Sequence, residues 1–140
     1  MAFRASLKVR FGDIDQAGIV YYPRFLHYFH VSLEEFFSSE LGIDYPTVVL
    51  RHRIGLPTVN LKTDFCRPLR YGDHFEVEIR VVNIGQTSIT WGYTTYLEGR
   101  DEILVQGQNV TVCLDMVTFK KRDVPDWLRQ KLDDYRERCE

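Results

Sequence analysis

The sequence predicts an α+β fold in which one long helix packs against an antiparallel sheet. Three patterns support this: a strand-like alternation near the N-terminus, one long amphipathic stretch after it, and consecutive strand patterns in the second half. This order is not the regular strand–helix alternation that builds a parallel, doubly wound sheet. With 140 residues the chain has the length of one domain, and we expect residues 1–140 to form it.

The first two elements have the clearest patterns. Between residues 3 and 11 apolar side chains alternate with serine, lysine and arginine, the period of two of a half-buried strand. From residue 23 to residue 41 the apolar side chains recur at helical spacing. Pro23 suits the first helical turn, and Gly42 suits the position just after the last one. We therefore expect a helix of about five turns.

Four further strand patterns follow this helix. They cover residues 59–65, 75–81, 89–93 and 110–116. Gly107 lies in the same run as the last pattern, and we expect a bulge there. A second amphipathic helix is predicted to begin near Pro125.

The aromatic side chains of the long helix cover more of its circumference than one apolar stripe would. We therefore expect the long helix to be largely enclosed, partly by a second subunit.

Composition narrows the function classes. The chain is 44% hydrophobic and 27% charged, as soluble globular proteins are, and its net charge of −2 argues against nucleic acid as the main ligand. No apolar run is long enough for a membrane span, and the N-terminus does not resemble a secretory signal, so we expect a cytoplasmic protein. The three cysteines and four histidines show no metal-binding spacing. We expect no metal and no cofactor.

Two aspartates, Asp13 and Asp15, lie in the loop between the first strand and the long helix. A helix start presents free backbone N–H groups that can bind an oxyanion or a polarised carbonyl. Because Pro23 lacks an N–H, that of Tyr22 or its predecessor would be offered at the entrance. A carboxylate nearby could act as general base or nucleophile toward an acyl carbon. The alternative is that both aspartates only form turns or caps.

Residues 11–25, FGDIDQAGIVYYPRF, closely resemble the signature of hot-dog-fold acyl-CoA thioesterases of the 4-hydroxybenzoyl-CoA thioesterase type. That signature has Asp-x-Asp followed by Ala-Gly-Ile-Val and an aromatic-Tyr-Pro entrance to the helix. Two later stretches, TDFCRPLRYGDHFEVEIRV and VTVCLDMVTFKKRDVPDWL, are similar to the family's later strands and C-terminal helix. The resemblance therefore extends over essentially the whole chain.

The resemblance implies a fold, an assembly and catalytic roles. The fold would be a long helix wrapped by a five-stranded antiparallel sheet, in homodimers that share active sites and usually form homotetramers. Asp15 would be the catalytic carboxylate, and the Tyr22 backbone N–H would polarise the thioester carbonyl. Asp13 would maintain the loop. The reaction would hydrolyse an acyl-CoA to a free acid and coenzyme A, which is part of the substrate and not a cofactor.

The same stretch suggests an aromatic acyl group as the first choice of substrate. Pro23 stands where many short-chain and long-chain relatives carry a histidine. The aromatic-acyl branch also has a proline at this position. The segment NIGQTS, residues 83–88, replaces the basic cluster that holds coenzyme A phosphates in the 4-hydroxybenzoyl branch. Expected substrate-binding residues, all at or near the helix start, are Val20, Tyr21, Phe25, Phe29 and His30.

Several alternatives remain open at this stage. The acyl group could be a short or long fatty chain, and the carrier could be acyl carrier protein instead of coenzyme A. The protein could also bind acyl-CoA without catalysis. A dehydratase is disfavoured because that branch uses a loop histidine, and none lies between Phe11 and Phe25. The sequence does not distinguish nucleophilic attack by Asp15 from base-assisted attack by water.

Overall fold

The computed structural model describes residues 1–139. Between its longer elements lie short helical segments: a 3₁₀-helix, Phe11–Asp13, and two π-helical turns, Phe37–Leu41 and Thr47–Arg51. The longer elements follow one another as β1 (Phe3–Lys8), α1 (Arg24–Phe36), β2 (Ile54–Gly55), β3 (Thr58–Phe65), β4 (His74–Ile84), β5 (Ser88–Leu97), β6 (Ile103–Val112), β7 (Leu114–Asp115) and α2 (Asp126–Cys139).

Five strands form one antiparallel sheet in the order β1-β4-β5-β6-β3. The short strands β2 and β7 pair separately as a second, two-stranded sheet. Helix α1 lies across the inner face of the large sheet, and α2 packs beside β4. The predicted α+β arrangement of a long helix, a five-stranded antiparallel sheet and a short C-terminal helix is therefore confirmed.

The C-terminal half of α1 is held by rings from three other elements. Phe36 is fully buried, and its ring centroid lies 5.9 Å from that of Phe3, 5.8 Å from that of Trp91 and 4.7 Å from that of Tyr135. The Tyr135 hydroxyl donates to the Ile79 carbonyl at 2.6 Å and accepts from the Phe3 N–H at 2.8 Å. Helix α2 therefore closes this side of the sheet with both apolar and polar contacts.

Gly107 lies directly beneath the Phe29 ring of α1. The Phe29 ring stacks on Tyr93 at 4.5 Å and 11°, and a Cβ atom at residue 107 would lie 2.9 Å from that ring. The pairing of β6 with β3 and β5 is continuous at Gly107, and the register shifts lie elsewhere. The predicted bulge is therefore wrong: the glycine leaves room for the Phe29 ring instead.

The first strand is shorter than the predicted span of residues 3–11. Lys8 pairs with His74, the first residue of β4, and beyond it only Val9 still exchanges hydrogen bonds, with Asp73 and Gly72 in the turn that precedes β4. The chain leaves the sheet and enters the 3₁₀-helix, where the Phe11 side chain is 75% exposed. An alternating sequence continues as a strand only while a neighbouring strand accepts its hydrogen bonds.

The last strand is also displaced from its predicted range of residues 110–116. Strand β6 begins at Ile103 and ends at Val112, which pairs with Ser88, the first residue of β5. The Cys113 N–H donates to the Thr87 carbonyl at 2.7 Å, and the chain then turns to form β7. The predicted helix end is close: α1 continues through one π-helical turn to Gly42, whose φ is +69°.

Strand β3 forms an open edge of the large sheet. Val59 is 62% exposed, Leu61 40% and Phe65 49%. An edge strand presents unpaired backbone groups, and natural proteins usually protect it with charges or a covering element. Here three large apolar side chains are exposed along it, beside the charged side chains of Lys62 and Asp64. Within residues 1–139 no helix is long and apolar enough to cross a membrane.

Candidate active site

Asp13 is fixed by contacts with both flanking elements. Its carboxylate accepts from the Arg10 N–H at 3.0 Å and from the Tyr28 hydroxyl at 2.8 Å, and its carbonyl accepts from the Tyr21 N–H at 2.9 Å. Arg24 lies 3.9 Å from the second carboxylate oxygen. Burial, followed by the bond to Asp13, raises the pKa of Tyr28 well above its usual value. Asp13 therefore ties the loop to the first turns of α1.

Asp15 occupies a tight turn at the surface, and its side chain has fewer partners. The Asp15 N–H donates to the Ile19 carbonyl at 2.9 Å, and Gly18, with φ +79°, donates back to the Asp15 carbonyl at 3.0 Å. One carboxylate oxygen, Oδ1, accepts from the Ala17 N–H at 2.8 Å. No described residue donates to Oδ2. The turn orients the Asp15 carboxylate and leaves one oxygen available.

The start of α1 leaves one backbone donor free. Tyr21, Tyr22 and Pro23 accept hydrogen bonds from the N–H groups three residues later, which forms the first helical turn. The Tyr21 N–H is used by Asp13, and Pro23 has none. Among the described residues, none accepts a hydrogen bond from the Tyr22 N–H. This donor therefore lies at the positive end of the helix dipole with no partner in the chain.

A cavity of about 330 Å³ opens beside this donor, and we call it the entrance cavity. It lies between the start of α1 and the end of β3, and its walls include both apolar rings and one basic side chain. The Phe65 ring contacts those of Tyr22 and Phe25 at centroid distances of 6.2 and 5.5 Å. The lining residues are Ile19, Val20, Tyr22, Phe25, Phe65, Cys66, Arg67 and Pro68.

A second cavity of about 160 Å³, the helix–sheet cavity, lies one turn further along α1. It is enclosed by the middle of the helix and the inner faces of β3, β5 and β6. His30 is exposed at its margin, 3.4 Å from Glu34 and with its ring 5.4 Å from that of Tyr45. The lining residues are Leu26, Phe29, His30, Leu33, Leu56, Thr58, Leu61, Tyr93, Asn109 and Thr111.

The expected substrate-binding residues are thus distributed over two cavities. Val20 and Phe25 line the entrance cavity, whereas Phe29 and His30 line the helix–sheet cavity. Tyr21 lines neither, and its ring contacts Tyr22 at 5.4 Å. The sequence pattern placed these residues correctly near the helix start, but the division into two chambers depends on the opposing strands.

Several lining residues were missed by the sequence reasoning. Phe65 and Arg67 come from the end of β3, more than forty positions after Tyr22. Asn109 does carry a local signal, because it alternates with Gly107 and Thr111 and therefore occupies an inward-facing position of β6. A polar side chain in an inward register is a reason to suspect a binding function.

Over residues 1–139 no group of three His, Cys, Asp or Glu side chains could hold a metal ion.

The match to a known family extends over residues 9–132, which fit the profile of the thioesterase-like superfamily. The class that this fold and sequence define is that of the hot-dog-fold thioester hydrolases. The protein belongs to the thioesterase-like superfamily, as the resemblance of residues 11–25 predicted.

Individual relatives agree with this assignment. A 1,4-dihydroxy-2-naphthoyl-CoA hydrolase from Synechococcus elongatus is 29% identical over 130 residues, which cover 89% of this chain and 93% of the relative. A crystal structure of a 1,4-dihydroxy-2-naphthoyl-CoA thioesterase from Synechocystis superimposes with a TM-score of 0.85 and 25% identity, over 96% of this chain and 97% of that one. The predicted hot-dog fold is confirmed.

A more distant neighbour shows the fold alone. A Staphylococcus aureus protein whose structure was solved in complex with CoA has 15% sequence identity and a TM-score of 0.86, over 98% of this chain and 85% of that one. The backbone arrangement is therefore retained when most side chains differ.

Proposed function

We propose that this protein hydrolyses an aromatic acyl-CoA to the free acid and coenzyme A, with Asp15 and the Tyr22 backbone N–H as the catalytic groups. The observation that carries the proposal is the pair of unused groups at the start of α1: a carboxylate oxygen and a helix-terminal N–H without partners among the described residues. Membership of a thioester hydrolase superfamily supports it.

The Tyr22 N–H supplies the electrophilic half of this chemistry. A thioester carbonyl oxygen bound to this donor would be polarised, and the negative charge that develops on attack would be stabilised by the helix dipole. One donor of this type contributes roughly 10²–10³-fold to acyl transfer in other enzymes. The entrance cavity beside Tyr22 provides room for the carbonyl and for the first part of the acyl group.

Asp15 supplies the nucleophilic half by one of two routes. In the first, its carboxylate attacks the carbonyl carbon, the C–S bond breaks, and the thiolate leaves with a mixed anhydride on Asp15 that water then hydrolyses. In the second, Asp15 removes a proton from a water molecule that attacks the same carbon. Both routes give one acid and one thiol for each water consumed.

Heavy-oxygen labelling distinguishes these routes. In a single turnover in H₂¹⁸O, the anhydride route requires water to attack one of two carbonyls, and attack on the Asp15 carbonyl leaves label in that side chain. Direct attack of water puts all of the label into the product acid. Mass spectrometry of the peptide that contains Asp15 measures the difference.

An aromatic acyl group is supported by the walls of the entrance cavity. The Phe65 ring contacts those of Phe25 and Tyr22 edge to face, at distances of 5.5 and 6.2 Å, and the three rings form an apolar surface between α1 and β3. Aromatic rings favour such edge-to-face and offset contacts with further rings. The names of the Synechococcus and Synechocystis relatives specify a naphthoyl thioester, which is also aromatic.

We further propose that the working unit is a homodimer formed through β3. Its edge carries exposed Val59, Leu61 and Phe65, which a second copy would cover by extending the sheet. Because β3 also borders both cavities, a partner at this edge would complete their outer walls. Size-exclusion chromatography with light scattering separates dimer from tetramer, and a monomer would contradict the proposal.

The experiment that tests the proposed function is thiol release from a panel of acyl thioesters. The panel contains benzoyl-CoA, phenylacetyl-CoA, 1,4-dihydroxy-2-naphthoyl-CoA, a short-chain and a long-chain acyl-CoA, and an acyl carrier protein thioester. Asp15→Asn should lower kcat by about a hundredfold or more while the protein remains folded. Asp101→Asn, in an exposed loop far along the chain, is the matched control and should retain full activity.

Each outcome has a distinct meaning. Rapid turnover of straight-chain substrates with slow aromatic ones would exclude the aromatic acyl group but retain the reaction. Equal rates for the wild type and Asp15→Asn would exclude Asp15 as a catalytic residue. Binding of acyl-CoA without turnover of any substrate would favour a binding module instead of an enzyme.

A further inference from the structure

The turn that follows β7 carries two strongly exposed apolar side chains. Val117 is 69% exposed and Phe119 is 70% exposed. A single apolar side chain at a surface is common, but two within three residues form a patch that water covers unfavourably. We call residues 116–122, MVTFKKR, the projecting turn. The proposed reaction uses none of these residues.

Asp115 holds the projecting turn in one conformation. Its carboxylate accepts from the Val117 N–H at 2.8 Å and from the Thr118 N–H at 3.1 Å. Its carbonyl accepts from the Phe119 N–H at 2.7 Å, and its own N–H donates to the Lys120 carbonyl at 2.8 Å. Four hydrogen bonds to one residue therefore fix the backbone from which the exposed side chains project.

Phe119 occupies a backbone conformation that is unfavourable for a bulky residue. Its φ is +59°, in the left-handed region that glycine adopts freely and that large side chains rarely adopt. Because most of the ring is exposed, packing within the chain offsets little of this strain. Strain of this kind is found at functional positions. A phenylalanine where glycine would be more stable indicates a contact outside the chain.

Positive charges accompany the two apolar side chains. Lys120, Lys121 and Arg122 directly follow the exposed ring, and the projecting turn contains no acidic residue, although the whole chain has a net charge of −2. Arg53 lies beside the turn, because its carbonyl accepts from the Met116 N–H at 2.9 Å. Within residues 1–139 none of these four cations forms an ion pair with a carboxylate.

Two carboxylates flank the projecting turn and do not cancel this charge. Backbone hydrogen bonds, and then the charges of Arg122 and Arg53, hold the pKa of Asp115 below its usual range. Asp123 accepts from the Gln86 side-chain amide at 3.2 Å. Two carboxylates against four cations leave the surface around the turn positive.

We propose that the projecting turn is a docking site for a membrane surface that carries anionic phospholipids. Val117 and Phe119 enter the boundary between head groups and acyl chains, where aromatic rings are favoured. The lysines and arginines beside them contact the lipid phosphates, because basic segments are attracted to an anionic surface. This inference does not depend on the proposed hydrolysis.

A lipid surface suits this turn better than an acidic protein does. Val117 and Phe119 project with most of their surface exposed, and a protein partner would need a hollow that matches them. A bilayer adapts to projecting side chains, and lysine can lay its apolar stem on the boundary while its charge reaches the head groups. Since the patch is small, the attachment should be reversible and sensitive to salt.

The test is co-sedimentation with vesicles of phosphatidylcholine or of an equal mixture of phosphatidylcholine and phosphatidylserine. The wild type should bind the mixed vesicles about tenfold or more tightly, and added salt should release it. Phe119→Gly should weaken this binding by about tenfold or more, since the inserted ring is lost. Phe11→Ser, at a ring that is 75% exposed in another loop, is the matched control and should bind as the wild type does.

The same variant separates docking from a structural role of the ring. Because glycine adopts a positive φ without strain, Phe119→Gly should unfold at the same temperature as the wild type or at a higher one. A lower unfolding temperature would show that the ring supports the fold and would overturn the inference.

A pair of double variants tests the charges. Lys120→Gln with Lys121→Gln should weaken binding to the mixed vesicles by about tenfold or more and remove much of its salt dependence. Arg100→Gln with Lys131→Gln removes two charges from the β5–β6 turn and from α2, and should bind as the wild type does.

Three further outcomes would overturn the inference. The first is a wild type that does not bind the mixed vesicles, or binds them no better than Phe119→Gly does. The second is binding to an acidic acyl carrier protein, lost in the same variants and without vesicle binding, which would assign the turn to a protein partner. The third is a smaller mass of Phe119→Gly in light scattering, which would assign the turn to a contact between copies of this chain.

Discussion

The two edges of the large sheet differ in how completely other elements cover them. On the side of β1 and β4, helix α2 and the end of α1 bury Phe36, Tyr135 and Trp91 with their polar atoms paired. On the side of β3, the start of α1 leaves large apolar side chains exposed and two cavities open. The end of α1 therefore lies in the covered part of the molecule, which we call the closed region. The start of α1 lies in the uncovered part beside β3, which we call the open region.

The difference shows how stability and ligand binding are separated in this fold. The closed region contains the ring contacts of Phe36 with Trp91 and Tyr135, which hold the end of the helix in place. The open region contains the buried unpaired oxygens of Asn109 and Thr63 and the exposed strand edge, which are unfavourable unless a ligand or a second copy covers them. Substitutions in the two regions should consequently affect different measurements.

The largest effect should come from removing the ring at the centre of the closed region. Phe36→Ala should lower the free energy of unfolding by about 3–5 kcal/mol, because a fully buried ring leaves a cavity that the rigid surroundings cannot fill. Urea denaturation followed by circular dichroism measures this. Phe65→Ala, at a half-exposed ring in the open region, is the comparison and should cost much less. Equal losses would mean that the two regions are packed alike.

The strand edge provides the next test. Val59→Lys should weaken the proposed dimer by about a hundredfold, since two copies of the substitution would place like charges at one interface. Sedimentation velocity over a range of concentrations measures the dissociation constant. Gln108→Lys, an exposed position on neighbouring β6, is the control and should leave the assembly unchanged. If Val59→Lys also leaves it unchanged, the copies do not associate through β3.

A smaller effect is expected at the tie between the loop and the helix. Tyr28→Phe removes the hydroxyl that donates to the Asp13 carboxylate at 2.8 Å. Hydrogen bonds to charged groups contribute about 1.5–3 kcal/mol, and the unfolding free energy should fall by about the lower of these values. Tyr21→Phe, at an exposed ring whose hydroxyl bonds to none of residues 1–139, should have no effect. Tyr21→Phe matching the loss in Tyr28→Phe would contradict this assignment.

The smallest effect is a pH dependence of the closed region. Burial raises the pKa of the Cys113 thiol from 9.0 to about 11. The folded state therefore favours the protonated thiol, and its contribution to stability is complete below pH 9 and is lost as the pH rises toward 11. Between pH 8 and 10 the wild type should lose about 1 kcal/mol more than Cys113→Ala does.

The control for this pH effect lies in the open region. Cys66 is exposed on the wall of the entrance cavity, so Cys66→Ala should show the same pH dependence as the wild type. Urea denaturation at pH 8, 9 and 10 measures all three proteins. A pH dependence that is the same in Cys113→Ala and the wild type would show that the Cys113 thiol does not titrate with unfolding.

The sequence predicts the elements whose periodicity is local. The alternation at β1 and the helical spacing of α1 were sufficient to place both, and Gly42 marked the end of the helix through its left-handed conformation. The short pair β2 and β7 was not predicted, because two residues are too few to show a period. The ends of β1 and β6 depend on where their neighbouring strands begin, which no local pattern records.

The sequence predicted the loop of the candidate site but not the two cavities beside it. The spacing placed Asp13 and Asp15 next to the helix start, but only the contact with Tyr28, fifteen residues away, distinguishes the fixed aspartate from the freer one. Asn109 and Tyr93 come together through the pairing of β5 with β6 and the packing of Phe29. These contacts link distant parts of the chain, so sequence periodicity alone does not reveal them.

The contact between Phe29 and Gly107 has a consequence for changing what this protein accepts. Because a Cβ atom at residue 107 would lie 2.9 Å from the Phe29 ring, this position limits how closely that ring can approach β6. Gly107→Ala would displace the Phe29 ring, which lines the helix–sheet cavity, and so reshape that cavity from beneath. A search for variants that accept a different acid could therefore begin under the lining instead of in it.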